Sequence, residues 1–81
     1  MGVAGQVHKE RDPVVLVEDL PEYGLLAGDV GTVVLIHRRA EAFQVEFATL
    51  GGETVAVVTL EAGQVRPVGS REIAHARAVE G

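Results

Sequence analysis

Cysteine and tryptophan are absent from this chain, and its only aromatic residues are Tyr23, Phe43 and Phe47. Without cysteine there can be no disulfide staple and no thiolate metal site, which fits a reducing compartment. A lone Tyr23 cannot build the aromatic groove that proline-rich ligands dock into, nor a stacking platform for single strands. Phe43 and Phe47 share one phase with Val45 and are expected in the core. No apolar run approaches the ~18 residues of a membrane span, and the N-terminus lacks the apolar stretch of a signal peptide. Gln6 stands where a myristoylation pattern needs Ser or Thr. These absences predict a cytoplasmic protein with no membrane segment.

Basic residues are also scarce: seven Lys and Arg against twelve Asp and Glu give a net charge of −5. Residues 1–12 balance Lys9 and Arg11 with Glu10 and Asp12, and 69–81 balance Arg71 and Arg77 with Glu72 and Glu80. The whole excess lies in 13–68, where eight acids face Arg38, Arg39 and Arg66. Such a surface repels phosphate backbones, whose neutralisation supplies most non-specific nucleic-acid affinity, so a nucleic-acid partner is disfavoured.

What the chain does have is β structure. Residues 1–12 lack periodicity and are expected as a flexible arm. Val14, Val15, Leu16 and Val17 form a short β-branched run, with Pro13 acceptable at its start. A long loop follows from Glu18 to Gly28, broken at Pro21 and Gly24, whose Leu20, Tyr23 and Leu25 are apolar enough to fold back over the body of the protein. Gly28 and Gly31 bracket Asp29 and Val30, predicting a sharp entry into the next strand with Asp29 capping the turn. Residues 30–36 are apolar almost throughout, which implies burial on both faces or a strong bend. Residues 42–48 alternate as a half-buried strand does. Gly51 and Gly52 mark a hairpin turn into a fourth strand at 54–60. A single helical or 3₁₀ turn at 61–64 precedes a short edge strand at 65–68. The pattern predicts an all-β fold, a small five-stranded SH3-like barrel at 13–68. It is followed by a tail at 69–81 in which Ser70 and the alanines favour a short helix, expected to be disordered alone and helical with a partner.

Chemistry is sparse. His8, His37 and His75 share no metal-ligand spacing. No Ser or Thr has a histidine and an acid placed to form a triad, and the Gly28–Gly31 turn leads into a strand, so no helix end awaits a phosphate. No enzyme activity, cofactor or metal is expected. Glu18, Asp19, Glu22 and Asp29 cluster in the long loop and the turn after it. They read either as ordinary turn and solvation residues or as a docking site for a cationic partner, and no calcium-loop spacing is present. His37, Arg38 and Arg39 make one basic spot that can contact RNA or an acidic protein.

The chain resembles a family of small bacterial and cyanobacterial proteins known as a domain of unknown function. The likeness runs from Asp12 to Val68. It is carried by Asp12-Pro13-Val14-Val15-Leu16, by Glu18-Asp19-Leu20-Pro21-Glu22-Tyr23-Gly24-Leu25 and by Ala27-Gly28-Asp29-Val30-Gly31-Thr32-Val33-Val34. Phe43-Gln44-Val45-Glu46-Phe47 and Leu60-Glu61-Ala62-Gly63-Gln64-Val65-Arg66-Pro67-Val68 complete it. The Gly-Asp-x-Gly-Thr-Val core is also similar to barrels of the KOW type and of the nitrile hydratase β-subunit group. The resemblance implies the barrel and no established activity. It also implies small stand-alone proteins, some suspected of forming toxin–antitoxin pairs. The resulting expectation is a non-enzymatic interaction module, antitoxin-like or an accessory subunit, binding one basic protein through Glu18, Asp19, Glu22, Tyr23, Ile73 and Val79. The alternatives are a structural subunit of a larger enzyme complex and a KOW-like RNA or ribosome contact through His37, Arg38 and Arg39. Self-association is left open.

Overall fold

The computed structural model describes residues 10–37 and 41–79. The expected arm at 1–12 lies almost wholly outside the described residues, as do His8, Arg38 and Arg39. Five antiparallel strands make one sheet: β1 (Pro13–Leu16), β2 (Val30–His37), β3 (Ala42–Ala48), β4 (Thr54–Glu61) and β5 (Val65–Pro67), in the order β4-β3-β2-β1-β5. One 3₁₀ turn (Pro21–Tyr23) interrupts the long β1–β2 loop and another (Ala62–Gln64) joins β4 to β5.

That second connection determines the shape of the sheet. β4 and β5 are its two outer strands, yet only Ala62–Gln64 separates them. A flat five-stranded sheet would set its outer strands about 19 Å apart, at ~4.8 Å per gap. The chain from Glu61 to Val65 reaches at most ~14 Å even when fully extended. The sheet is therefore rolled rather than flat, as a small barrel-like fold requires. Its concave side holds one apolar cluster in which Val14 and Leu16 of β1 meet Val33, Phe43, Val45, Phe47, Val58, Leu60 and Val65.

The long loop behaves as predicted for two of the three residues expected to fold back over the body of the protein. Leu20 and Leu25 are buried in the core cluster and exchange backbone hydrogen bonds of 2.9 and 3.1 Å. Tyr23 instead stays 45% exposed. It sits in the 3₁₀ turn, none of whose residues is buried.

In β2 the apolar run reflects a bend and not two-sided burial. The pairing register with β3 shifts between Val33 and Leu35, so an extra residue is accommodated there. Gly31 and Val33 are buried before the bulge and Ile36 packs on the core after it, while Val30, Val34 and Leu35 remain exposed. The two glycines at its start also differ in role. Gly28 has φ +96° and makes the turn, whereas Gly31 lies inside the strand, where an added Cβ would stand 2.5 Å from Val45 Cγ1 and 2.8 Å from Phe47 Cε1. Gly31 is needed for close approach, not for turning.

Candidate interaction site

The turn into β2 is built by two carboxylates. Asp29 Oδ2 accepts from the Leu26 N–H at 2.9 Å, and Asp19 Oδ1 accepts from the Ala27 N–H at 2.8 Å. Asp29 thus caps its own turn, as its place between the glycines predicts. Glu18 is also in use: its Oε2 accepts from Gln64 Nε2 at 3.0 Å, while Gln64 Oε1 accepts from the Glu61 N–H at 2.8 Å. The four loop acids therefore divide. Glu18, Asp19 and Asp29 hold backbone or side-chain partners, and Glu22 stands exposed beside Tyr23 in the 3₁₀ turn.

Asp29 carries more than its turn. Arg77, far along the chain in the tail, donates from Nε to Oδ1 at 2.9 Å and from Nη2 to Oδ2 at 2.5 Å. The same Nη2 donates to the Gly24 carbonyl at 3.0 Å. A planar guanidinium can span both carboxylate oxygens in this way, which a lysine ammonium cannot. The Arg77 guanidinium, helped by the Leu26 N–H, holds the Asp29 carboxyl below its ordinary range against the opposing effect of partial burial.

A second forked pair fixes the start of the tail. Arg66 in β5 donates to Glu72 Oε1 at 2.7 Å and to Oε2 at 2.6 Å, and Glu72 also accepts from the Gly69 N–H at 2.6 Å. These bonds, first the Arg66 guanidinium and then the Gly69 N–H, pull the Glu72 carboxyl down to about 2. Beyond a turn at 70–71 the tail runs from 72 to 79 without helix.

Between the tail and the sheet lies a groove of about 830 Å³, lined among others by Val15, Val30, Phe47, Val55, Ile73 and Val79. Val15 marks its floor. Strand alternation sends Val14 and Leu16 inward and Val15 to the opposite face. It is nonetheless only 5% exposed, and it stands outside the core cluster.

The expected partner-binding residues are thus spread over two neighbouring features. Ile73 and Val79 line the groove; Glu22 and Tyr23 lie exposed in the loop that ends at Asp29; Glu18 and Asp19 serve the loop's own structure. His37 ends β2, half-buried opposite Ala42, away from the groove lining. Reading the residues in order found Asp29 as a cap and as one of four acids suited to a cationic partner, but missed the roles of Arg77, Arg66 and Val15. Two signals were available: three consecutive apolar residues in a short strand, and one arginine set among alanines. Among the described residues, no cluster of three or more His, Asp or Glu could hold a metal ion, and no helix is long and apolar enough to cross a membrane.

Nothing among curated proteins or solved structures matches the chain. The model of a family described as a domain of unknown function (DUF4926) matches residues 10–67, and the chain belongs to that family.

Proposed function

We propose that this member of the DUF4926 family is a non-enzymatic protein-interaction module, an antitoxin-like or accessory subunit that binds one basic protein in the cytoplasm. We further read its rolled sheet as an SH3-like barrel, akin to the KOW and nitrile hydratase β-subunit groups. Five short strands, a long first loop and a 3₁₀ turn before the last strand support that likeness.

The observation that carries the functional reading is the Asp29 carboxylate at the edge of an apolar groove, paired with a guanidinium in the structure itself. A surface that pairs with one cationic side chain and offers apolar area beside it suits a basic partner. The net charge of −5 adds long-range attraction to such a partner. Exposed Glu22 and Tyr23 precede, in the same loop, Gly24, whose carbonyl accepts from Arg77.

The test is recovery of the tagged chain from its native host at low and moderate salt. One basic protein in fixed stoichiometry, released as salt rises and lost with Glu22→Lys plus Tyr23→Ala, is the expected result. Ribosomal proteins and RNA in its place would transfer the role to His37, Arg38 and Arg39. An empty eluate would overturn the interaction reading.

A further inference from the structure

We propose that the Asp29 and Gly24 acceptors, with the apolar sheet face beside them, form a recognition site for an extended peptide segment carrying one arginine between small apolar residues, and that the chain's own tail holds this site in cis. The inference rests on the interaction reading above and specifies what the partner must present.

The tail itself displays the chemistry of the ligand. Arg77 sits between Ala76 and Ala78, and its guanidinium satisfies both Asp29 oxygens and the Gly24 carbonyl at once. Gly24 is placed for this by its left-handed conformation, φ 72°, which closes the 3₁₀ turn and leaves its carbonyl to accept from outside the loop. The acceptors are therefore set by the fold of the loop, and a guanidinium brought by any chain meets the same constellation. Outward-facing Val15 is screened from water on the face where the tail runs.

The tail is also a poor occupant. Among the described residues, no backbone hydrogen bond joins 73–79 to the sheet. Ile73 is 94% exposed and Val79 41% exposed, so its two largest apolar side chains contribute little burial. The groove of about 830 Å³ remains beside it. The Arg77–Asp29 pair keeps 32% and 19% of its side-chain surface in contact with solvent, which leaves it open to exchange. A partner segment that repeats the arginine and fills the groove with a larger apolar residue gains what the tail leaves unused. The tail then acts as a strap: its high effective concentration shields the apolar floor until a better segment displaces it.

The test uses the full chain and a fluorescent synthetic peptide with the sequence of residues 69–79. Wild type is expected to bind it weakly, because the cis tail competes. Arg77→Ala, which releases the strap, is expected to bind it about tenfold more tightly, since it no longer competes with a tethered arginine at high effective concentration. Adding Asp29→Asn to Arg77→Ala is expected to reverse that gain. Asparagine retains an oxygen for the Leu26 N–H, and thermal melting checks that the turn and sheet persist. A peptide with lysine in place of its arginine is expected to bind less well than the original. Equal binding by wild type and Arg77→Ala overturns the strap, and binding indifferent to Asp29→Asn overturns the arginine site. A concentration-dependent dimer of wild type that Arg77→Ala dissolves would make a second copy's tail the occupant and also overturn the proposal. None of these failures touches recovery of a partner that depends on Glu22 and Tyr23, and an empty eluate there overturns the earlier reading whatever the peptide does.

Discussion

Asp29 serves two purposes with one side chain. It caps the turn into β2 through the Leu26 N–H and anchors the tail through Arg77. A carboxylate accepts several charge-assisted bonds at once, so the two duties reinforce each other, and both depend on the ionised form. Asp29 and Glu72 each titrate below their ordinary values, Glu72 at about 2. Their folded values lie below the unfolded ones, so their hold on the tail is fully present above about pH 4, the ordinary carboxylate value, and is lost as pH falls through the folded values. The tail resonances around Glu72 are accordingly expected to shift as pH falls from about 4 through about 2, while those around Arg77 approach the Arg77→Ala positions as Asp29 protonates below its ordinary range. Tail resonances that stay fixed while Glu72 titrates would contradict this. The two residues also show what a sequence reveals at this scale. Asp29 was recognisable as a cap because its neighbours are local, whereas its bond to Arg77 joins residues 48 positions apart, a pairing that no local spacing encodes.

The strands show the same division. β3 was legible to the residue, because alternation of Phe43, Val45 and Phe47 with polar neighbours states which face is buried. β2 was legible as a strand but not in its burial: a continuous apolar run is compatible with two covered faces or with a bulge. The register shift between Val33 and Leu35 decides for the bulge. Gly31 was legible as important but not in its role, since a turn glycine and a close-approach glycine look alike in sequence. The distinction has a measurable consequence. Gly31→Ala drives a methyl group against Val45, Phe47 and the Glu46 carbonyl, and overpacking of this kind costs about 1–3 kcal/mol. Urea denaturation is expected to show that loss with an unchanged slope. Gly63→Ala, where an added Cβ meets nothing within 4 Å, is the comparison and is expected to be close to neutral.

For the molecule as a whole, short strands, a long first loop and a final 3₁₀ turn were enough to predict an all-β domain of five strands. The tail was not readable. Its alanines and Ser70 favour a helix locally, yet 72–79 run without helix, tied at Glu72 by Arg66 and at Arg77 by Asp29. Tertiary bonds outweigh a propensity of a few tenths of a kcal/mol per residue. The sheet also depends on its last strand, because among the described residues β1 pairs only with β2 and β5, and Val65 belongs to the core cluster. A chain ending at Gln64 is expected to lose its cooperative thermal transition, whereas one ending at Ser70 is expected to keep it; a cooperative melt of the shorter chain would refute that dependence. The three-residue link from β4 to β5 thus has a consequence in time as well as in space. Val15 is synthesised long before its partner and cannot meet Arg66 until β5 has been made. Pairings between positions so far apart in sequence are slow to form, so the sheet is complete only once β5 has docked on β1.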